Sequence, residues 1–234
     1  MIATHNQLID LCPEFNTLTC EEKTKLSKAI SLKEFSKNEY VWRQGDSAKH
    51  VYIVVRGIVL FYGVTSKGTM TTNSFMLPTH IFGDVEVILE RPRYCDAKAL
   101  GKMLIAVIPK KLYLSLLDSN HSFCRFYLNS LAKWYFLEMR YRSQLSSEVP
   151  GLRISYALSM ICTALLETGE YSKTDPIELP VSQEIFASFA RVSRQVTNKV
   201  FKSLSGEGIL KTEYQKIVIL KPESLLEEIK PDFS

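Results

Sequence analysis

Between residue 32 and about residue 110 the chain is assembled from short runs rich in Val, Ile, Tyr and Phe: "SLKEF", "EYVWR", "HVYIVV", "IVLFYGV", "TTNSFM", "DAKAL" and "MLIAVIP". Gly, Asp, Ser and Lys separate them. Runs this short are better strands than helices, because β-branched and aromatic side chains suit a pleated, half-buried surface. At this spacing they predict an all-β sandwich or barrel. Within it, "YIVV-RG-IVLFY" predicts a hairpin turning at Arg56-Gly57, since glycine takes positive φ without a Cβ penalty.

The texture differs on either side. Residues 6 to 31 predict helical pieces, broken at Pro13, with Thr19 as N-cap of "CEEKTKL". After Pro109 the pattern turns helical again. Residues 120 to 147 carry Cys124, Leu128, Leu131, Tyr135, then Arg142 and Leu145, at alternating four- and three-residue steps. Such an apolar stripe needs a cover. Either its own domain supplies that cover or the same helix of a second subunit does, and the second is the expectation. "SSEVPG", residues 146 to 151, interrupts the pattern and marks a boundary. "LRISYALSMICTALLETG" then predicts another amphipathic helix, and "YSKTDPIELP" a polar loop edged by a short strand. The expected class is α+β, with residues 1–119, 120–147 and 148–234 as a β-rich domain, a long helix and a helical domain.

Composition narrows the function classes. The five cysteines are odd in number, widely spaced and without a CxxC pair, and the four histidines do not cluster. Structural zinc and a disulfide framework are not indicated, so reduced thiols in a cytoplasm are expected. Neither a secretion signal nor an apolar run of membrane-spanning length is present, and no membrane partner is expected. From Gly151 onward ten Lys and Arg stand against eleven Asp and Glu, a net of −1. Four of those ten, Arg191, Arg194, Lys199 and Lys202, fall within twelve residues that contain no acid. A near-neutral region with one concentrated basic segment implies an aimed contact, not general stickiness toward polyanions.

That segment lies in "PVSQEIFASFARVSRQVTNKVFKSLSGEGIL", residues 180 to 210. Ser182 is suited to cap a first helix ending near Ala190, with Ile185, Phe186 and Phe189 inward. After a turn at Arg191-Val192, Ser193 caps a second helix with Thr197, Val200, Phe201 and Leu204 inward. Two short helices in this order predict a helix-turn-helix. The outer face then carries Arg194, Gln195, Asn198, Lys199 and Lys202, and the two starts offer Ser182, Gln183 and Ser193. Arg forks to guanine O6 and N7, Gln pairs with adenine N6 and N7, and Lys suits a base edge or a phosphate. "YQKIVILKP" predicts a wing strand with Lys216 near phosphate. Arg191 sits where such turns most often hold glycine. Positive φ there would cost on the order of 1 kcal/mol.

Taken together, the chain resembles the CRP/FNR family of bacterial transcription regulators over nearly its whole length. The family's β-roll glycines match Gly45, Gly57 and Gly83 in "VWRQGDSAKHVYIVVRGIVLFY" and "FGDVEVILERPR", and "SQEIFASFARVSRQVTNKVFKSL" is similar to its helix-turn-helix. The resemblance implies a jelly-roll-like N-terminal sensor domain, a dimerisation helix and a C-terminal winged helix-turn-helix. It implies a homodimer on a palindromic operator in double-stranded DNA, gated by an effector in the β-roll, with RNA polymerase as partner if the protein activates. The dimer contacts would be Cys124, Leu128, Leu131, Tyr135 and Leu145. The effector pocket would comprise Gly83, Asp84, Val85, Glu86, Arg93 and Tyr94. Gly83 and Arg93 keep the ten-residue spacing of cyclic-nucleotide modules, but Asp84 shortens the usual acid and Glu86 and Tyr94-Cys95 depart further. Glu86 should either crowd a cyclic phosphate or pair with Arg93, so the expected effector is not cAMP. A responder to cAMP or cGMP is the alternative. Cys12 and Cys20 do not reproduce the spacing that family members use for an iron-sulfur centre, so no cofactor is expected; nothing in the sequence supports haem.

Two other classes share parts of this pattern. A cupin-type metalloenzyme needs a His-x-His and a later Glu and His, whereas His50 and His80 stand alone, so no enzyme is expected. A nucleotide-sensing adaptor without a DNA role would fit residues 32 to 110 and leave the C-terminal motif unexplained.

Overall fold

The structure is a computed structural model that describes residues 9, 12–64, 68, 70–147, 149–167, 169 and 171–226. Its contacts divide the chain into two compact units: residues up to 61 with 75–140, and residues 62–74 with 141 onward.

The β-rich region forms two four-stranded sheets. One has the order β1 (Ser31–Phe35), β8 (Met103–Pro109), β3 (His50–Arg56), β6 (Ile81–Phe82); the other has β2 (Tyr40–Trp42), β7 (Asp96–Ala99), β4 (Val59–Val64), β5 (Met70–Met76). Strands β3 and β8 read as unbroken apolar runs because both of their faces are covered. Tyr52, Val54, Ile105 and Val107 meet Trp42, Val59, Phe61 and Ala97 between the sheets. The alternate residues Val51, Ile53, Ala106 and Ile108 meet Phe15, Leu26, Tyr113 and Phe123 on the helical side. At about 25 cal/mol per Å² of apolar area buried, these two layers are what hold the strands in register.

The Arg56-Gly57 hairpin expected from sequence does not form. β3 and β4 lie in different sheets, and β3 pairs with β8 and β6 instead. Gly57 takes φ +94°, and a Cβ there would lie 2.8 Å from the Lys102 carbonyl oxygen. The glycine therefore serves a chain crossing between sheets, beside a register shift at Val54/Arg56, and not a two-residue turn.

The helices follow their caps. Thr19 forms a capping box with Glu22 at the start of α1 (Cys20–Ala29). Pro13 opens a 3-10 turn (Pro13–Thr17), where its missing N–H is harmless because it falls in a first turn. Within "SSEVPG" one helix ends at Ser147 and Pro150 begins the next, α5 (Pro150–Glu167), by the same physics. α2 (Val85–Ile88) and α3 (Lys110–Ser119) precede α4 (His121–Ser147), the long helix expected over 120–147.

In the second unit, β10 (Leu210–Glu213), β11 (Lys216–Ile219) and β9 (Ile177–Leu179) form an antiparallel sheet in that order. Against it stand α6 (Gln183–Phe189), α7 (Arg194–Gly206) and α8 (Pro222–Leu226), with α5 packed on α7 and α8.

Candidate functional site

The expected effector pocket centres on one guanidinium. Strand β6 leads into Gly83, whose φ of +71° turns the chain into α2. A Cβ at Gly83 would lie 2.7 Å from Arg93 Nη1 and 3.1 Å from Trp42 Cη2, so only glycine lets the arginine approach. Arg93 Nη1 donates to the Gly83 carbonyl at 2.6 Å and to Glu86 Oε2 at 3.1 Å, while Nη2 donates to the His50 carbonyl at 2.6 Å. Its guanidinium carbon lies 4.1 Å from the Trp42 ring centroid and 5.6 Å from that of Tyr52. The side chains of Arg93 and Glu86 are only 1% and 7% exposed. The positive charge that could seat a phosphate is thus matched by the protein's own carboxylate in a buried place.

The other pocket residues separate. Asp84 accepts a 2.6 Å hydrogen bond from the Tyr127 hydroxyl on α4. Burial holds the Asp84 carboxyl above its ordinary range, against the lowering effect of that hydrogen bond. Val85 and Tyr94 are exposed at the surface. Gly83, Glu86 and Arg93 are therefore brought together, Asp84 is turned to the long helix, and Val85 and Tyr94 stand outside. Sequence reasoning missed His50, Trp42, Tyr52 and Tyr127. The three aromatics carry no local signal of their roles, and His50 contributes a backbone oxygen, which no side-chain pattern reveals. Among the described residues no cluster of His, Cys, Asp and Glu suited to a metal ion is present.

In the second unit each serine expected to cap does so. Ser182 Oγ accepts from Ile185 N at 3.2 Å, and Ser193 Oγ accepts from Val196 N at 3.3 Å. The turn between the helices places Arg191 at φ +52°, the strained conformation its sequence position implied, with Val192 N closing on the Ala187 carbonyl at 3.0 Å. Phe186, Phe189, Thr197, Phe201 and Leu204 are buried, and Ile185 and Val200 are half-buried. Arg194, Gln195, Lys199 and Lys202 are exposed, with Asn198 and Gln183 half-buried beside them. α7 has no acidic residue. It therefore offers duplex DNA a face of forked donors and point charges without a repelling carboxylate.

Along α4, Leu128 is 63% exposed, and Cys124, Tyr135 and Met139 are exposed too. Leu131 is half-buried, and the Leu145 side chain lies outside the described residues. Phe123 and Tyr127, on another face of the same helix, turn into the β-rich unit. The helix thus has one face occupied within its own unit and one apolar face facing solvent. Met139 lies one turn beyond Tyr135, between Tyr135 and Leu145 of the residues singled out from sequence.

Together these features define a class: a β-roll sensor fold joined by a long helix to a winged helix-turn-helix. Comparison with known proteins agrees. The cyclic nucleotide-binding domain family matches residues 32–120, and the Crp-like helix-turn-helix domain family matches residues 160–228. The chain is 24% identical over 227 residues to the anaerobic regulatory protein of Bacillus subtilis, covering 93% of this chain and 92% of that one. It is 20% identical over 206 residues to the HTH-type transcriptional regulator Cmr of Mycobacterium tuberculosis, covering 88% and 79%. The structure of FixK2 from Bradyrhizobium japonicum superposes with a TM-score of 0.67 at 19% identity, covering 85% of this chain and 96% of that one. The chain belongs to the CRP/FNR family of transcription regulators, whose members are regulators and not enzymes. No helix among the described residues is long and apolar enough to cross a membrane.

Proposed function

We propose that the protein works in the cytoplasm as a homodimer that binds a palindromic operator in double-stranded DNA, controlled by an effector other than cAMP at its β-roll. In this reading residues 1–119 sense, 120–147 dimerise and 148–234 bind DNA, with RNA polymerase as partner if the protein activates. The observation that carries the DNA reading is the acid-free outer face of α7, started by the Ser193 cap. The first turn of a recognition helix is where side chains enter the major groove.

Selecting bound sequences from a random duplex pool tests it, and a two-fold symmetric consensus is expected. On that consensus Arg194→Ala should cost about 1–3 kcal/mol and relax one base position in each half-site. Lys202→Ala should instead weaken all sequences alike and reduce the salt slope by about one unit per contact. Unchanged specific binding in both variants would remove α7 from the groove.

The effector reading rests on Glu86. A cyclic phosphate brings a second negative charge to a guanidinium that already pairs with a carboxylate. Two like charges about 4 Å apart repel by about 4 kcal/mol at an effective dielectric of 20, nearly a thousandfold in affinity. Calorimetry with cAMP and cGMP should therefore show weak or absent binding by the wild type and a clear gain in Glu86→Ala. A wild-type dissociation constant at or below about 10 µM would overturn this reading.

A further inference from the structure

The turn of the helix-turn-helix holds an arginine in a backbone conformation that favours glycine. At φ +52° the Cβ of Arg191 crowds the following carbonyl oxygen, and an L-residue relaxes out of that region unless its surroundings over-determine it. Three contacts do so here. Arg191 N donates to the Ser188 carbonyl at 3.2 Å, and Val192 N donates to the Ala187 carbonyl at 3.0 Å, both on α6. Arg153 Nη1, on α5, donates to the Arg191 carbonyl at 3.4 Å. The Arg191 carbonyl and the Val192 N–H belong to one trans peptide plane and point in opposite directions. That plane is therefore pinned at both ends, to α6 by its N–H and to α5 by its oxygen.

α5 is placed to brace this turn. Its Gly151 lies against α7, where a Cβ would come 3.7 Å from Val200 Cγ2. Arg153 follows in the same first turn of α5, is half-buried, and reaches a carbonyl thirty-eight positions further along the chain. Ser193 caps α7 directly after Val192, with its hydroxyl accepting from Val196 N. The pinned plane thus precedes the cap, and Arg194 and Gln195 open the helix that the cap starts. The direction in which α7 leaves the turn depends on how that plane is held.

We infer that Arg153 is a positioning residue for DNA recognition, holding the strained peptide after Arg191 so that Arg194 and Gln195 enter the groove in register. The inference rests on the DNA reading above and adds to it a residue that touches no base. A guanidinium suits the task. Its hydrogen bond to a carbonyl is charge-assisted, and its planar fork is already organised for donation, whereas a lysine offers a single, more strongly hydrated point charge. The tether matters because residue 191 is not glycine. A glycine would take the same φ without a Cβ to crowd and would feel no drive to relax.

The experiment uses the full chain and the duplex recovered by selection, with a scrambled duplex as the non-specific reference. Arg153→Met keeps the apolar stem and removes the donor. It should weaken binding to the selected duplex about five- to tenfold, leave binding to the scrambled one unchanged and keep the salt slope. In the Arg191→Gly background the same Arg153→Met change should cost less than about twofold, a coupling that a merely destabilising substitution does not produce. The inference is overturned if Arg153→Met binds the selected duplex as wild type does, or if its loss is equal in both backgrounds. A salt slope lower by about one unit per subunit also overturns it, because Arg153 is then a phosphate contact. If Arg153→Met does not fold, Arg153→Lys takes its place, and the same dependence on Arg191→Gly is required. A wild type that enriches no duplex defeats the DNA reading and the inference with it, a result distinguishable from a loss confined to the Arg153 variants.

Discussion

Replacing Arg93 with alanine is expected to cost about 3–5 kcal/mol of folding stability, because it leaves the Glu86 carboxylate buried without its partner. The Gly83 and His50 carbonyls would lose their donor in the same step. Glu86→Gln should cost much less, since the guanidinium keeps both carbonyls and the Trp42 face. Replacing the pair together, Arg93→Met with Glu86→Leu, should recover at least half of the single-variant loss, because neither buried charge remains. Chemical denaturation of the three variants measures this. A loss below about 1 kcal/mol in Arg93→Ala would mean that water reaches the pocket and that the pair is not buried in solution.

Introducing aspartate at Leu128 is expected to separate the subunits and to lower operator affinity by two to three orders of magnitude. A charge in the centre of an apolar interface must be desolvated without a partner. Once the subunits part, each half-site is bound alone and the gain from linkage disappears. Leu128 is the better probe than Leu131, which is half-buried within the protomer and could perturb folding. Sedimentation at micromolar concentration should show a dimer for wild type and a monomer for Leu128→Asp, with an unchanged thermal midpoint for the monomer unit. A variant that stays dimeric would move the interface off this face of α4.

Much of the DNA-binding unit is legible in the order of its residues. Ser182 and Ser193 cap because a hydroxyl and an amide three residues apart meet within one turn. The outer face of α7 follows from the helical period alone, and the stress at Arg191 from its place in the turn. Legibility fails where the partner lies on another element. Lys216 reads as a free cation in sequence, yet its carboxylate partner Glu178 is thirty-eight residues away. For the same reason Arg56-Gly57 reads as a hairpin. Two adjacent β-rich runs and a glycine satisfy the local rule, while the choice of β8 as the partner of β3 depends on burial across the whole sheet.

Local sequence dictates most of the elements, their caps and the cationic helix face. These depend on sterics and hydrogen bonds within about four residues, which any chain of this order must satisfy. What the pocket holds is a matter of tertiary contact. Glu86 and Asp84 are two residues apart on one short turn, yet one meets Arg93 and the other meets Tyr127, forty-three residues along the chain. Which way each acid turns depends on the surfaces that close over it. In a buried, low-dielectric place those neighbours decide whether a carboxylate is paired, raised in pKa or exposed.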